Sequence, residues 1–149
     1  KKLGKNIEES IENNNPSYLN TVFNLESFLT NSIPESNNAL EQAFYEGFTT
    51  EFNKSFDLGV SIINELGSDG EYAFLHAYVA NNKYFLIFRM LSQQTVNYHE
   101  YKLELDGDEF IITDIYNYYS GSFMSEIVAR DYRGGCLYIT GTTSEQKKM

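Results

Sequence analysis

Apolar residues recur at helical spacing from Lys5 to Leu66 and at alternate positions from Glu71 to Tyr119. The first period predicts helices and the second predicts strands. Asn15-Pro16 reads as a helix entry, with Asn as the N-cap and Pro at the first helical position. A stripe of Tyr18/Leu19, Val22/Phe23, Leu25 and Phe28/Leu29 follows as far as Ile33-Pro34. Asn38-Ala39-Leu40-Glu41 has the form of a capping box. Leu40, Phe44, Phe48, Phe52 and Phe56 then stand at i, i+4 spacing, continued by Val60, Ile63 and Leu66 up to Gly67-Ser68-Asp69-Gly70. Such an aromatic stripe is expected to be plain core, and Gly47 and Gly59 within it mark close packing, a kink or a break.

Four strands are expected: Tyr72 to Ala80, Tyr84 to Leu91, Val96 to Leu105 and Phe110 to Tyr119. Asn81-Asn82 suits a two-residue hairpin, because Asn tolerates the positive φ of such turns. Gln93-Gln94 is the next turn, and either Asp106-Gly107 or Gly107-Asp108 is the last. The predicted fold class is α+β, with N-terminal helices packed on one face of a four- to five-stranded antiparallel sheet. A single domain is expected over 1–149, helical in 5–66 and sheet in 71–119. A short helix capped by Ser122 follows in 122–132, and 133–149 is a tail of uncertain structure. Cys136 to Thr140 has the composition of a last strand, and Gly141 to Met149 that of a disordered tail.

Strict alternation assigns the faces. Ala73, Leu75, Ala77 and Val79 share an inner face with Tyr84, Leu86, Phe88, Met90, His99 and Tyr101, and the last hairpin adds Phe110, Ile112, Asp114 and Tyr116. His99 then lies opposite Asp114 or Tyr116, depending on which turn is used. A buried carboxylate is costly unless partnered, so Asp114 needs His99 or a tyrosine hydroxyl. The sharper consequence is a general acid/base pair of His99 and Asp114, assisted by Tyr101 and Tyr116 in a pocket between sheet and helices. The plainer one is a satisfied polar cluster. The outer face carries Tyr72, Phe74, His76, Tyr78, Phe85, Ile87 and Arg89, with Arg89 near Glu100. Tyr72, Phe74, Tyr78, Phe85, Ile87 and Arg89 form a candidate binding surface, since large apolar patches mark interaction sites.

Charge narrows the partners. With 21 acidic against 11 basic residues the net charge is −10, which disfavours nucleic acid and anionic lipid. No run approaches the ~18 apolar residues of a spanning helix, so membrane insertion is not expected. The chain opens on Lys1 rather than Met, compatible with a removed leader, and its compartment is left open between a bacterial cytoplasm and export. No cofactor is expected. Alternation sends His76 and His99 to opposite faces, away from a shared metal ion, and the lone Cys136 has no histidine at a fixed spacing.

The element order resembles the cone-shaped nuclear-transport-factor-2-like and cystatin-like α+β architecture. The segment "FRMLSQQTVNYHEYKLELDGDEFIITDIYNYYSGSFMSE" looks like a recurring phrase of uncharacterised bacterial proteins, mainly from Bacteroidetes. The likeness extends over Pro16 to Tyr132 and departs at Ser122, where the phrase has an acidic residue. It implies a fold shared by enzymes, ligand binders and protein-binding modules, and so no single activity. The favoured reading is a non-catalytic binding or assembly module whose partner is another protein or a second copy. The alternative is a small-molecule enzyme, or a binder of a small hydrophobic ligand, using the inner-face pair.

Overall fold

Helices fill the first half of the chain and a sheet most of the second, as the change of apolar period predicts. The computed structural model describes residues 1–146, with side chains as far as Gly141. The helices are α1 (Lys2–Glu12), α2 (Ser17–Val22), α3 (Leu25–Ser32), α4 (Ala39–Ser55) and α5 (Leu58–Leu66). Strands β1 (Glu71–Ala80), β2 (Lys83–Leu91), β3 (Val96–Asp106), β4 (Glu109–Asn117) and β5 (Ser122–Phe123) come next, followed by α6 (Met124–Gln146). The class is α+β, with one antiparallel sheet in the order β1-β2-β3-β4-β5. The chain divides into two compact units. One holds Lys1–Leu25 and Asp57–Met124, and the other holds Glu26–Phe56 and the chain from Ser125.

In the sheet-bearing unit, α1, α2 and α5 pack together, α1 lies against β1 and α2 against β4. Asn15 opens α2 as expected, its Oδ1 accepting the Ser17 N–H at 3.1 Å. The stripe expected as one helix to Ile33 is two helices. Phe23 leaves the helical path for an extended backbone and bridges Ile112 in parallel, while the Asn24 N–H donates to the Ile112 carbonyl at 2.8 Å. A sheet edge therefore captures the residue that would have continued the helix. The long stripe from Leu40 to Leu66 also breaks, at Phe56-Asp57. Asp57 Oδ1 caps α5 by accepting from Val60 N–H at 2.8 Å and also from Asn20 Nδ2 at 2.8 Å. Gly59 follows because a β-carbon there would lie 2.5 Å from the Pro16 carbonyl oxygen.

All three hairpins form where the turn residues place them. Asn81 and Asn82 both have positive φ, 51° and 60°, as a type I′ turn requires. Leu91 pairs with Val96 across Gln93-Gln94, and Asp106 pairs with Glu109 across Gly107-Asp108. Each outer hairpin then carries a one-residue bulge that alternation alone does not predict. In β1, Phe74 pairs with Phe88 and His76 with Ile87, leaving Leu75 extra. In β4, Ile112 pairs with Leu103 and Asp114 with Lys102, leaving Thr113 extra. A bulge reverses which face the residues beyond it present.

In the helical unit, Asn38 Oδ1 accepts from the N–H groups of Leu40 and Glu41 at 2.9 and 3.4 Å, so half of the expected capping box forms. Glu41 instead accepts from the Ser36 hydroxyl. The expectation of plain core for α4 fails: none of its residues is buried, and Leu40 is 40% exposed. The expected short helix and last strand after Ser122 are also corrected. Ser122 and Phe123 pair with Asn117 and Tyr116, and one helix runs from Met124 through Gly134-Gly135 to Gln146. Gly135 has a packing reason to be there, since a β-carbon would enter the Phe44 ring. Residues 141–146 of the expected disordered tail are helical, and 147–149 lie outside the described residues. Among the described residues no helix is long and apolar enough to cross a membrane.

Candidate functional site

The two bulges redistribute the residues of both candidate sites. Tyr72 and Phe74, expected outside, face inward with Met90 and Phe88. Tyr72 is fully buried and stacks on Phe88 at 5.0 Å, and Phe74 meets the same ring at 5.4 Å beside Gly4 of α1. Asp114 and Tyr116, expected inside, pair with Lys102 and Glu100 on the other face. His99 and Tyr101 stay inside, at 4% and 0% exposure, opposite Asn117 and Ile115. The expected His99–Asp114 pair is therefore not brought together, and neither is Tyr116 with Tyr101. His76 is exposed on the outer face.

What surrounds His99 is a closed polar chain. Asn97 Oδ1 accepts the backbone N–H groups of Tyr98 and Tyr119 at 2.8 and 3.0 Å. Its Nδ2 must then be the donor, to Asn117 Oδ1 at 3.0 Å and to His99 Nε2 at 3.3 Å. A ring nitrogen that accepts is bare, so the neutral imidazole carries its proton on Nδ1. That N–H donates to Tyr72 Oη at 3.0 Å, and Tyr72 donates onward to Tyr101 Oη at 2.6 Å. Burial lowers the His99 pKa to about 4, because protonation in a dry site with both neighbours already committed is unfavourable. Burial likewise pushes both phenols up, Tyr101 by desolvation and Tyr72 by desolvation and by its neighbour Tyr101. Near neutral pH no member of this chain exchanges a proton readily. A recess of about 130 Å³ reaches Tyr72 between Ile11, Ile63 and Leu66, below the range of common ligand sites. The group behaves as a satisfied core network that ties β1 and β3 to the turn after β4.

The outer face of the same sheet carries an aromatic field around Glu100. Tyr78, Phe85, Ile87 and Arg89 are on it as expected, each half-buried. Tyr78 stacks on Phe85 at 5.0 Å. Ile87 lies between His76 and Glu100, and Glu100 lies between Ile87 and Tyr116. The Tyr118 hydroxyl donates to Glu100 Oε2 at 3.0 Å. Tyr116 meets both Tyr118 and Phe123 edge-on at 5.0 Å. Loss of solvent, then the Glu100 hydrogen bond and charge, pushes the Tyr78 hydroxyl up to about 12 and raises Tyr118 in the same way. Arg89 is paired with Glu71 at 2.6 Å rather than with Glu100 as expected.

Tyr98, Glu100 and Tyr118 were not among the candidate residues, although Tyr98 and Tyr118 are 39% and 50% exposed. Their signal was present in the sequence: β3 alternates from Val96 through Tyr98 and Glu100, and only the neighbouring strand's bulge hid what Glu100 would face. No protein-family model, no curated protein and no solved structure matches this chain.

Proposed function

We propose that the protein is a non-catalytic binding module that meets another protein, or a second copy of itself, through the outer face of its sheet. The observation that carries this reading is the aromatic field of Tyr78, Phe85, Tyr98, Tyr116 and Tyr118 around Ile87 and Glu100. Rigid tyrosine and phenylalanine rings with one apolar body and a polar tip are the side chains that dominate protein interfaces, because they bury much area for little lost rotamer freedom. Within the sheet-bearing unit the Gly4 and Lys5 end of α1 lies over Phe74, on the opposite face. The closed network at His99 favours binding over acid/base chemistry on the inner face. Helices before an antiparallel sheet also suit the nuclear-transport-factor-2-like and cystatin-like resemblance, within which protein-binding modules are one outcome.

A photo-crosslinking amino acid tests the surface. Placed at Tyr98 or Phe85, it is expected to give a discrete adduct in extract of the source cells. The adduct's mass distinguishes a second copy from another protein. The same group at Leu105, exposed at the end of a hairpin, is expected to give none. Equal labelling from Leu105, or no adduct from either outer position, removes the outer face as the interface.

A further inference from the structure

Glu100 is half-buried at the centre of the aromatic field and has no cation beside it. Ile87 and Tyr116 are its cross-strand neighbours, and Tyr98 and Lys102 flank it along β3. Tyr118 donates to its Oε2 at 3.0 Å, and the Tyr78 hydroxyl also hydrogen-bonds to it. Both donors are neutral phenols, so they occupy lone pairs and leave the charge uncompensated. The two cations of this face are engaged elsewhere: Arg89 pairs with Glu71 at 2.6 Å, and Lys102 with Glu104 at 3.2 Å. Asp114 stands opposite Lys102 and adds a further negative charge. Among the described residues Glu100 takes part in no ion pair.

We propose that another protein meets this face with an arginine whose guanidinium lies against the tyrosine rings and pairs with Glu100; this rests on the outer face being the binding surface. A partner that closes over Glu100 strips water from a carboxylate, which is costly unless the partner brings a cation with it. A wholly apolar partner surface is therefore a poor match. Tyr118 is edge-on to both Tyr98 and Tyr116, at 75° and 82°, so ring planes at steep angles stand beside the carboxylate. Ring faces attract cations. A guanidinium stacks flat on a ring while its forked N–H groups reach a carboxylate, whereas an ammonium is a more strongly hydrated point charge. Arginine is thus favoured over lysine. A second copy laid face to face would bring Glu71, Glu100, Glu104 and Asp114 against the same four, with only Arg89 and Lys102 to offset them. Charge complementarity selects a different, basic protein.

The test is an NMR titration of the nitrogen-15-labelled chain with the peptide acetyl-Leu-Arg-Leu-amide. Its controls carry lysine, or the neutral near-isostere citrulline, in place of the arginine. The arginine peptide is expected to give saturable shifts of the Tyr98, Glu100 and Tyr116 amides, the lysine peptide to bind about threefold or more weakly, and the citrulline peptide not to saturate. Glu100→Gln keeps an oxygen for the Tyr118 hydroxyl and removes the charge, so the melting temperature holds while affinity falls by about tenfold or more. Equal binding of the citrulline peptide overturns the proposal, as does unchanged affinity in folded Glu100→Gln. Self-association of the chain that Glu100→Gln abolishes assigns the face to a second copy and overturns it equally. The photo-crosslink from Phe85 separates the arginine from the surface beneath it. An adduct of undiminished yield in Glu100→Gln keeps the interface and removes the arginine, whereas no adduct from the wild-type chain removes both.

Discussion

Acidification from pH 6.5 to 4 is expected to remove about 3 kcal/mol of stability through His99 alone. The sign follows from the direction of the shift. The folded-state pKa is lowered to about 4, against an ordinary value near 6.5 in the unfolded chain. Above pH 6.5 the ring is neutral in both states and its contribution is complete. Between those values the unfolded chain takes up a proton that the folded chain refuses, so stability falls by about 1.4 kcal/mol per pH unit. Below pH 4 the folded ring is protonated too and this loss levels off. Urea unfolding followed by near-ultraviolet circular dichroism measures it. His99→Gln is expected to start less stable, because it breaks the link to Tyr72, but to be flat over the same window. A wild-type profile that is flat down to pH 5 contradicts the enclosure of His99.

Two helical glycines should respond to alanine with opposite signs. Gly59→Ala is expected to cost about 2–3 kcal/mol, the size of an overpacking penalty. The new methyl would lie 2.5 Å from the Pro16 carbonyl oxygen and 2.7 Å from its Cα. Neither can move easily, because the Gly59 N–H is held by Asn20 Oδ1 at 3.0 Å and Asn20 by Asp57. Gly47→Ala is expected to gain about 1 kcal/mol, since the helix improves and the methyl meets nothing within 4 Å among the described residues. Urea midpoints of the two variants separate the cases. Destabilisation by Gly47→Ala would mean that the α4 surface is filled in the native protein.

Strand existence and turn chemistry were legible because each rests on local residues. Asn81-Asn82 can satisfy positive φ, and Gly107 supplies the same freedom at the last turn. The cap at Asn38 and the stop at Gly67 are local in the same sense. The bulges at Leu75 and Thr113 were not, because neither residue type announces an inserted position. The second shows in the burial pattern of β4. Ile112 and Ile115 are both buried, and a three-residue interval between buried residues is incompatible with a period of two unless one residue is extra. Strict alternation instead placed Asp114 in the core, at the desolvation cost of a carboxylate. The bulge avoids that cost by putting Ile115 inside and Asp114 opposite Lys102. The same displacement separates His99 from Asp114, so one inserted residue decides between an acid/base pair and a structural network. The breaks at Phe23 and Phe56, and the run of α6 through two glycines, depend on partners distant in sequence, such as Ile112 and Phe44.

The direction of the proton in the His99 ring tests the bulged register most directly. Long-range nitrogen–proton correlation spectra of the imidazole should show the proton on Nδ1, a bare Nε2, and no titration until the solution is below about pH 5. Only with Tyr72 turned inward by the first bulge, and Asn117 brought opposite His99 by the second, do those partners surround the ring. A ring protonated on Nε2, or one that titrates near pH 6.5, would return Tyr72 to the outer face and reopen the pairing of His99 with Asp114.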